Sequence, residues 1–211
     1  MKLHLGCGQR YFEGYVNIDY PMTEHTVQEK SVADVQADLL KLKYSAGEIE
    51  EVRLHHVFEH FSRPVACALL SNWYSWLKVG GTVHIEVPDF EKTGKAALSA
   101  FKNSKMKHIA LRHIFGSQEA HWAVHFEGYS KDLLSDMLER FGYKVKEVKR
   151  NDWKGTYNIE VIAQKAGGNL SKDALEKCAE EYLKQYMVDE GESEKRLLQT
   201  WMDIYRQHVI I

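Results

Sequence analysis

The chain has 211 residues, and Lys+Arg 28 against Asp+Glu 30 gives a formal charge of -2, which leaves no bulk basic field and argues against a nucleic-acid partner. Hydrophobic residues at 44% and charged residues at 27% describe a globular chain, long enough for one domain of ~150 residues plus an appendage. The three cysteines, Cys7, Cys67 and Cys178, form no Cys-x-x-Cys pair, which excludes a zinc ribbon and fits a reducing cytoplasm, and no apolar run approaches the ~20 residues that cross a bilayer.

Lys2 to Leu5 reads as a first strand that breaks at once into Gly6-Cys7-Gly8. Tyr15 to Asp19 is a second strand ending in an acid, Val32 to Ala37 with Asp38 behind it a third, and Glu51 to Leu54 a fourth. Ser62 and Pro64 start a helix, apolar positions from Val65 to Leu77 recur at helical spacing, and Gly80-Gly81 is expected to close it. Thr82 to Val87, bounded by glycine and Pro88, is a fifth strand. A helix is predicted over Thr93 to Phe115, then a loop from Gly116 to Tyr129 that carries His121, Trp122 and His125. Ser130 caps a further helix ended by Gly142. Tyr143 to Lys149 and Tyr157 to Gln164 alternate as an antiparallel pair, and after Gly167-Gly168 two amphipathic helices follow, one through Leu175 and Tyr182, the other through Trp201 and Tyr205.

Strands interleaved with helices over the first half favour a mostly parallel sheet, whose ligands bind beyond the carboxyl ends of the strands. Gly6, Asp19, Asp38, His55 and Asp89 stand at those ends. Glycine permits a tight bend and lets a ligand approach the backbone, and a carboxylate such as Asp19 has acceptor sites for two vicinal ribose hydroxyls. A dinucleotide fingerprint wants a third glycine where Tyr11 stands, so pyrophosphate binding and a nicotinamide-dependent oxidoreductase are disfavoured.

Leu5-Gly6-Cys7-Gly8, Asn17-Ile18-Asp19, Ala37-Asp38-Leu39-Leu40, His56-Val57-Phe58-Glu59-His60 and Leu77-Lys78-Val79-Gly80-Gly81-Thr82 follow one another in this order. In order and rough spacing they resemble the motifs of class I S-adenosylmethionine-dependent methyltransferases, most of all a small bacterial subgroup that starts directly at the first strand. The resemblance covers residues 2 to about 165. It implies an α/β fold: a Rossmann-like methyltransferase sheet, mostly parallel with an antiparallel C-terminal hairpin, helices on both faces, and a helical C-terminal extension. The expected division is a methyltransferase-like domain over 1–166 and the extension over 167–211.

The resemblance also implies S-adenosylmethionine as cofactor. Gly6, Cys7 and Gly8 would pass under its methionine part, Asp19 with the following Tyr20 would take the ribose, Asp38 and Leu39 would face the adenine, and His55 and His56 would lie beside the cofactor. The Glu59-His60 pair matches one often found there and reads as mainly structural. This chain departs from the pattern at His4, where an acid usually precedes the turn, and at Arg10, in the usual third glycine position. Gly8 and Asp19 lie only eleven positions apart, so the helix between them must shrink to about a turn, with Gln9 or Arg10 contacting the methionine carboxylate instead.

For the acceptor, a histidine near neutral pKa is the natural base: His125 is preferred, with His121, His56 and His60 as the other candidates and Asp89 as an orienting carboxylate. His55, His56 and His60 lie close in sequence, and His121 and His125 have i, i+4 spacing, but no helix is predicted there, so no metal site is assigned. The function expected is methyl transfer to a small, carbohydrate-like acceptor in the cytoplasm, without nucleic acid or membrane; the alternative is a non-catalytic cofactor-binding or scaffolding protein on the same fold. The C-terminal helices read as cover for sheet surface left bare, or as the contact of a homodimer.

Overall fold

The computed structural model describes residues 1–24 and 27–211. Seven strands form one sheet: β1 (Lys2–Leu5), β2 (Val16–Asp19), β3 (Val35–Gln36), β4 (Ile49–His55), β5 (Leu77–Pro88), β6 (Tyr143–Trp153) and β7 (Thr156–Lys165). Their order is β3-β2-β1-β4-β5-β7-β6. The first five are parallel, and β7 runs antiparallel to both β5 and β6, which is the mixed sheet the sequence predicts. Strand order reverses between β1 and β4, so their carboxyl ends open onto a crevice.

Side chains alternate across the sheet with period two. Leu3, Val52, Val83 and Ala163 pair across neighbouring strands, as do Leu5, Leu54, Ile85 and Val161, and all eight are fully buried. The opposite face presents His4, Arg53 and His84 in register, with Glu160 nearby. The apolar face packs against α1 (Arg63–Trp76), whose Trp73 and Trp76 are among the largest buried side chains. Phe12 and Tyr15 take the edge of the polar face, with the Arg53 guanidinium 5.3 Å and 5.5 Å from their ring centres. Among the described residues, the connections from β1 to β4 hold only turns and two short 3-10 segments, Met22–Glu24 and Leu39–Lys41, so the shortened β1–β2 link matches the eleven-residue spacing.

Three elements differ from expectation. Helix α1 stops at Trp76, and Leu77 turns extended to pair with Ile49 as the first residue of β5. The Gly80-Gly81 pair therefore sits inside a strand irregularity rather than capping the helix: Gly80 has φ +80°, and a Cβ at Gly81 would meet the Lys78 carbonyl at 2.9 Å. The single helix predicted over Thr93 to Phe115 is two, α2 (Phe90–Leu98) and α3 (Ser104–Phe115). Asn103 breaks the run by accepting a hydrogen bond from the Met106 N–H, a helix N-cap hidden inside a continuous apolar pattern. The third strand is only two residues long.

After α4 (Lys131–Arg140) and the β6–β7 hairpin come α5 (Lys172–Lys184) and α6 (Glu192–His208). They pack on α1 and on each other. The Ser71 and Tyr205 hydroxyls lie 3.0 Å apart, and Asn72 donates to the His208 carbonyl and accepts from the Ile210 N–H.

Candidate functional site

The chain leaves β1 through Gly6 at φ +65°, where a Cβ would lie 2.3 Å from Val57 Cγ2, so only glycine fits. Gly8, at φ +54°, has open space where a Cβ would point. Asp19, at the end of β2, is oriented by two backbone donors: the Gly8 N–H reaches Oδ2 at 2.7 Å and the Tyr20 N–H reaches Oδ1 at 2.8 Å. The Cys7 thiol lies 4.0 Å from the same carboxylate, and burial with that negative charge pushes it up to about 12, which leaves it protonated and unreactive. Gly6, Cys7, Gly8, Arg10 and Asp19 line a cleft of about 340 Å³ together with His55, His56, Glu119 and Trp122.

Four predicted residues stand outside this cleft. Gln9 turns away and donates to the Lys30 carbonyl at 2.7 Å. Asp38 caps the 3-10 turn by accepting from the Leu40 N–H at 2.9 Å, and Leu39 is packed in the core, 5% exposed. The Tyr20 phenol is raised by burial and by the neighbouring Asp38 carboxylate. The glycine turn and Asp19 thus converge, while Asp38 serves the backbone behind them.

A second cavity, of about 470 Å³, adjoins the cleft and shares His56, Glu119 and Trp122 with it. His60, Arg112, His113, His125 and Trp153 complete its walls. His56 occupies the left-handed region at φ +55°, fixed by its N–H on the Glu86 carbonyl. Its ring lies between two carboxylates, 3.4 Å from Glu59 and 3.2 Å from Glu86. Burial works to lower the pKa of His56, but these carboxylates outweigh it and raise the imidazole to about 9. Glu86 is correspondingly lowered to about 2, by His56 first and against burial.

His125 enters the cavity because its loop is tied down. Gly116 and Val124 form an isolated bridge, and the Phe126 N–H donates to the Glu59 carbonyl at 2.8 Å. His125 Nδ1 sits 3.1 Å from the His113 carbonyl, and His60 Nδ1 sits 3.1 Å from the Val124 carbonyl. Since a carbonyl only accepts, both rings carry the proton on Nδ1 and keep the lone pair on Nε2. Burial lowers the pKa of His125 and of His113. Glu59 is 1% exposed; its Oε1 faces the His56 ring at 3.4 Å, and its Oε2 has no hydrogen bond among the described residues.

The two other candidate catalytic groups are elsewhere. His121 is exposed and lines neither cavity, and its i, i+4 spacing to His125 places no metal ligand pair because the segment is a turn. Asp89 is fully buried, accepts from the Lys92 N–H as the cap of α2, and lies 3.1 Å from Arg150 Nε. No local pattern in the sequence marks Glu86 or His113; Glu59 reads there as mainly structural, and His60 both as part of that pair and as a candidate base.

No family model matches the chain, and no curated protein matches it. Solved structures share its architecture. A methyltransferase dependent on S-adenosylmethionine from Archaeoglobus fulgidus is 16% identical, covering 77% of this chain and 85% of that one at a TM-score of 0.52. Another from Mesorhizobium loti is 13% identical, covering 77% and 89% at 0.52. The 1,6-didemethyltoxoflavin-N1-methyltransferase of Burkholderia thailandensis, solved with 1,6-didemethyltoxoflavin and S-adenosylhomocysteine, is 13% identical, covering 79% and 71% at 0.52. The chain has the Rossmann-like class I methyltransferase fold.

Proposed function

We propose that this chain is an S-adenosylmethionine-dependent methyltransferase that acts on a small-molecule acceptor. The observation that carries the reading is the adjacency of two cavities: a cleft built from the glycine turn and Asp19, and a larger histidine-lined cavity, meeting at His56, Glu119 and Trp122. Both volumes lie in the range of small-ligand sites, roughly 300–1,000 Å³. The open space at Gly8 and the oriented Asp19 carboxylate fit a nucleoside with a flexible amino-acid tail, and Arg10 at the rim suits that tail's carboxylate.

When bound, the cofactor supplies a methyl group on a sulfonium, which transfers by in-line displacement. The chain's part is alignment and, for a hydroxyl or amine acceptor, handling of one proton. We assign that part to His125, whose Nδ1–H is engaged by the His113 carbonyl and whose Nε2 remains to orient the acceptor or take its proton. Trp122, Trp153, Arg112 and Glu119 offer flat apolar faces beside hydrogen-bonding groups, which supports a polyhydroxylated, carbohydrate-like ring as the acceptor. Cys7, Cys67 and Cys178 carry no disulfide among the described residues, and we place the reaction in the reducing cytoplasm; no helix among them is long and apolar enough to cross a membrane.

Calorimetric titration with S-adenosylmethionine, S-adenosylhomocysteine and NAD tests the cofactor, with both adenosyl compounds expected to bind and NAD not. Absence of binding by both adenosyl compounds sinks the reading. A second reading, a cofactor-binding protein without turnover, is favoured by the helix-free β1–β2 link, which offers few oriented N–H groups. Methyl release measured across sugar, amine and phenol acceptors separates the two.

A further inference from the structure

We propose that Glu59, His60 and His125 form a binding site for a divalent transition-metal ion, of which Zn2+ is the representative. The ligand atoms these three residues offer all lie within 4.8 Å of one another, and His125 Nε2 is 3.9 Å from Glu59 Oε1. Around a zinc ion with bonds of roughly 2.0–2.2 Å, ligand atoms sit about 3.3 Å apart, so small side-chain rotations close the site.

Three further features point the same way. First, both imidazoles are set in the ligating tautomer: His60 and His125 each place Nδ1 on a backbone carbonyl, which leaves Nε2 as the donor atom. Histidines that hold metals are fixed in this manner by a partner on the other ring nitrogen. Second, Glu59 is an enclosed carboxylate whose Oε1 faces the His56 ring at 3.4 Å and the His125 ring at 3.9 Å, while Oε2 has no hydrogen bond among the described residues and is free to take a further partner. The nearest cationic group, the His56 ring at 3.4 Å, is shared with Glu86. Third, the three ligands are held on one scaffold before any ion arrives. Glu59 and His60 belong to the 3-10 turn Phe58–His60, and the loop bearing His125 is tied to that turn through the Glu59 and Val124 carbonyls.

A different cluster, His55, His84 and Glu160, also brings ligand atoms within 4.8 Å of one another, but its groups already serve one another. His84 Nε2 is bonded to Glu160, and His55 Nδ1 is 3.3 Å from His4 Nε2.

Two imidazoles and one carboxylate suit zinc and neighbouring divalent metals, and a set of only three protein ligands leaves a coordination position open. His60 and His125 line the 470 Å³ cavity, so that position faces the space assigned to the acceptor. This last step rests on the methyl-transfer reading; the metal site itself does not. The ion would hold a lone pair of the acceptor's oxygen or nitrogen, and His125, with Nε2 bound to the ion, would orient the acceptor through it and would not itself take the proton.

The test uses full-length protein without a histidine tag, stripped with a chelator and titrated with Zn2+ against a chromophoric competitor, and with Co2+ followed by its visible absorption. One equivalent is expected to bind. Glu59→Gln and His125→Ala are each expected to weaken binding more than about 100-fold, beyond the roughly 10- to 100-fold that supporting groups cost, while His84→Ala leaves it unchanged. Circular dichroism checks that each variant is folded, and His60→Asn and His125→Asn stand in for any that is not. Wild-type protein that binds no metal, or binding that survives Glu59→Gln and His125→Ala, or binding that disappears in His84→Ala alone, overturns the site. Calorimetry with S-adenosylhomocysteine on the stripped protein keeps the two ideas apart: adenosyl binding without metal binding sinks only the metal site, and the reverse sinks only the methyltransferase reading.

Discussion

The cleft beside Asp19 is assembled mainly from the ends of adjacent strands β1, β2 and β4, and its defining residues, Gly6, Gly8 and Asp19, fall within one short stretch of chain. The cavity beside His125 draws its walls from three separated places: the turn after β4, helix α3 with the loop that follows it, and the β6–β7 hairpin. Backbone geometry dictates the first, since Gly6 has no room for a side chain and Asp19 is gripped by two N–H groups. Side-chain identity dictates the second. A region fixed by main-chain shape suits a constant ligand; a region made of loop and hairpin side chains suits one that differs from enzyme to enzyme.

If this division of labour holds, the two regions fail in different ways. The largest effect is expected from His125→Ala: turnover falls roughly 100- to 10,000-fold, the range of a lost acid-base or orienting group, while affinity for S-adenosylhomocysteine stays put. A parallel loss of cofactor affinity in calorimetry would erase the distinction between the cavities. Asp19→Asn should do the reverse, weakening adenosyl binding about 10- to 100-fold through lost charge-assisted hydrogen bonds of roughly 1.5–3 kcal/mol.

The two glycines sharpen the contrast within the cleft itself. Gly6→Ala drives a Cβ into Val57 and keeps a left-handed φ, so it should cost about 3 kcal/mol of stability in urea denaturation. Val57→Ala added to it should recover the steric part and leave about 1 kcal/mol of backbone strain. Gly8→Ala meets nothing and should cost only that ~1 kcal/mol, while its new methyl group intrudes on the cleft and reduces adenosyl affinity. Equal stability losses for the two variants would contradict the open side of Gly8.

The polar sheet face beneath the cleft adds a pH dependence. Burial first, then Arg10 with His4 and His84, lowers the pKa of His55 to about 3, with Glu86 opposing. The folded state therefore keeps His55 neutral while the unfolded chain takes up a proton below the ordinary value of 6.5. Stability falls as pH drops from about 6.5 toward 3. By pH 5 His55 contributes about 1 kcal/mol of that loss after screening of a partly exposed ring. The difference in melting midpoint between wild type and His55→Asn should shrink as the pH is lowered; a difference independent of pH would remove His55 from the account.

The contrast between the regions also explains what the sequence disclosed. Strand ends carrying Gly6, Gly8 and Asp19 were legible because the chemistry of a turn and of an acid after a strand is local. The central strands, α1 and the C-terminal hairpin followed from periodicity, since the interior demands it. Leu77 escaped because an apolar residue continues a helix face and starts a buried strand equally well, and only its pairing with Ile49 decides. Asn103 escaped because α2 and α3 are both amphipathic, so the apolar rhythm runs through the cap. Glu59 was illegible for a deeper reason. An acid between Phe58 and His60 reads as a structural residue, and only the loop around His125, folded over it, places it beside a cavity.

Asp38 supplies the mildest and most discriminating case, because one residue type serves both readings. An aspartate after a short strand can face an adenine amino group or cap the turn behind it, and here its Oδ1 takes the Leu40 N–H while Lys41 lies 3.7 Å from the other oxygen. Asp38→Ala should therefore cost up to about 1 kcal/mol of stability, the worth of a lost cap, and change adenosyl affinity less than about threefold. Asp38→Ser, which can still cap, should restore the stability and leave affinity where it was. If affinity instead fell about tenfold in both variants, worth about 1.4 kcal/mol of binding, the carboxylate would be a ligand contact, and the cleft would reach past Asp19 to the end of β3.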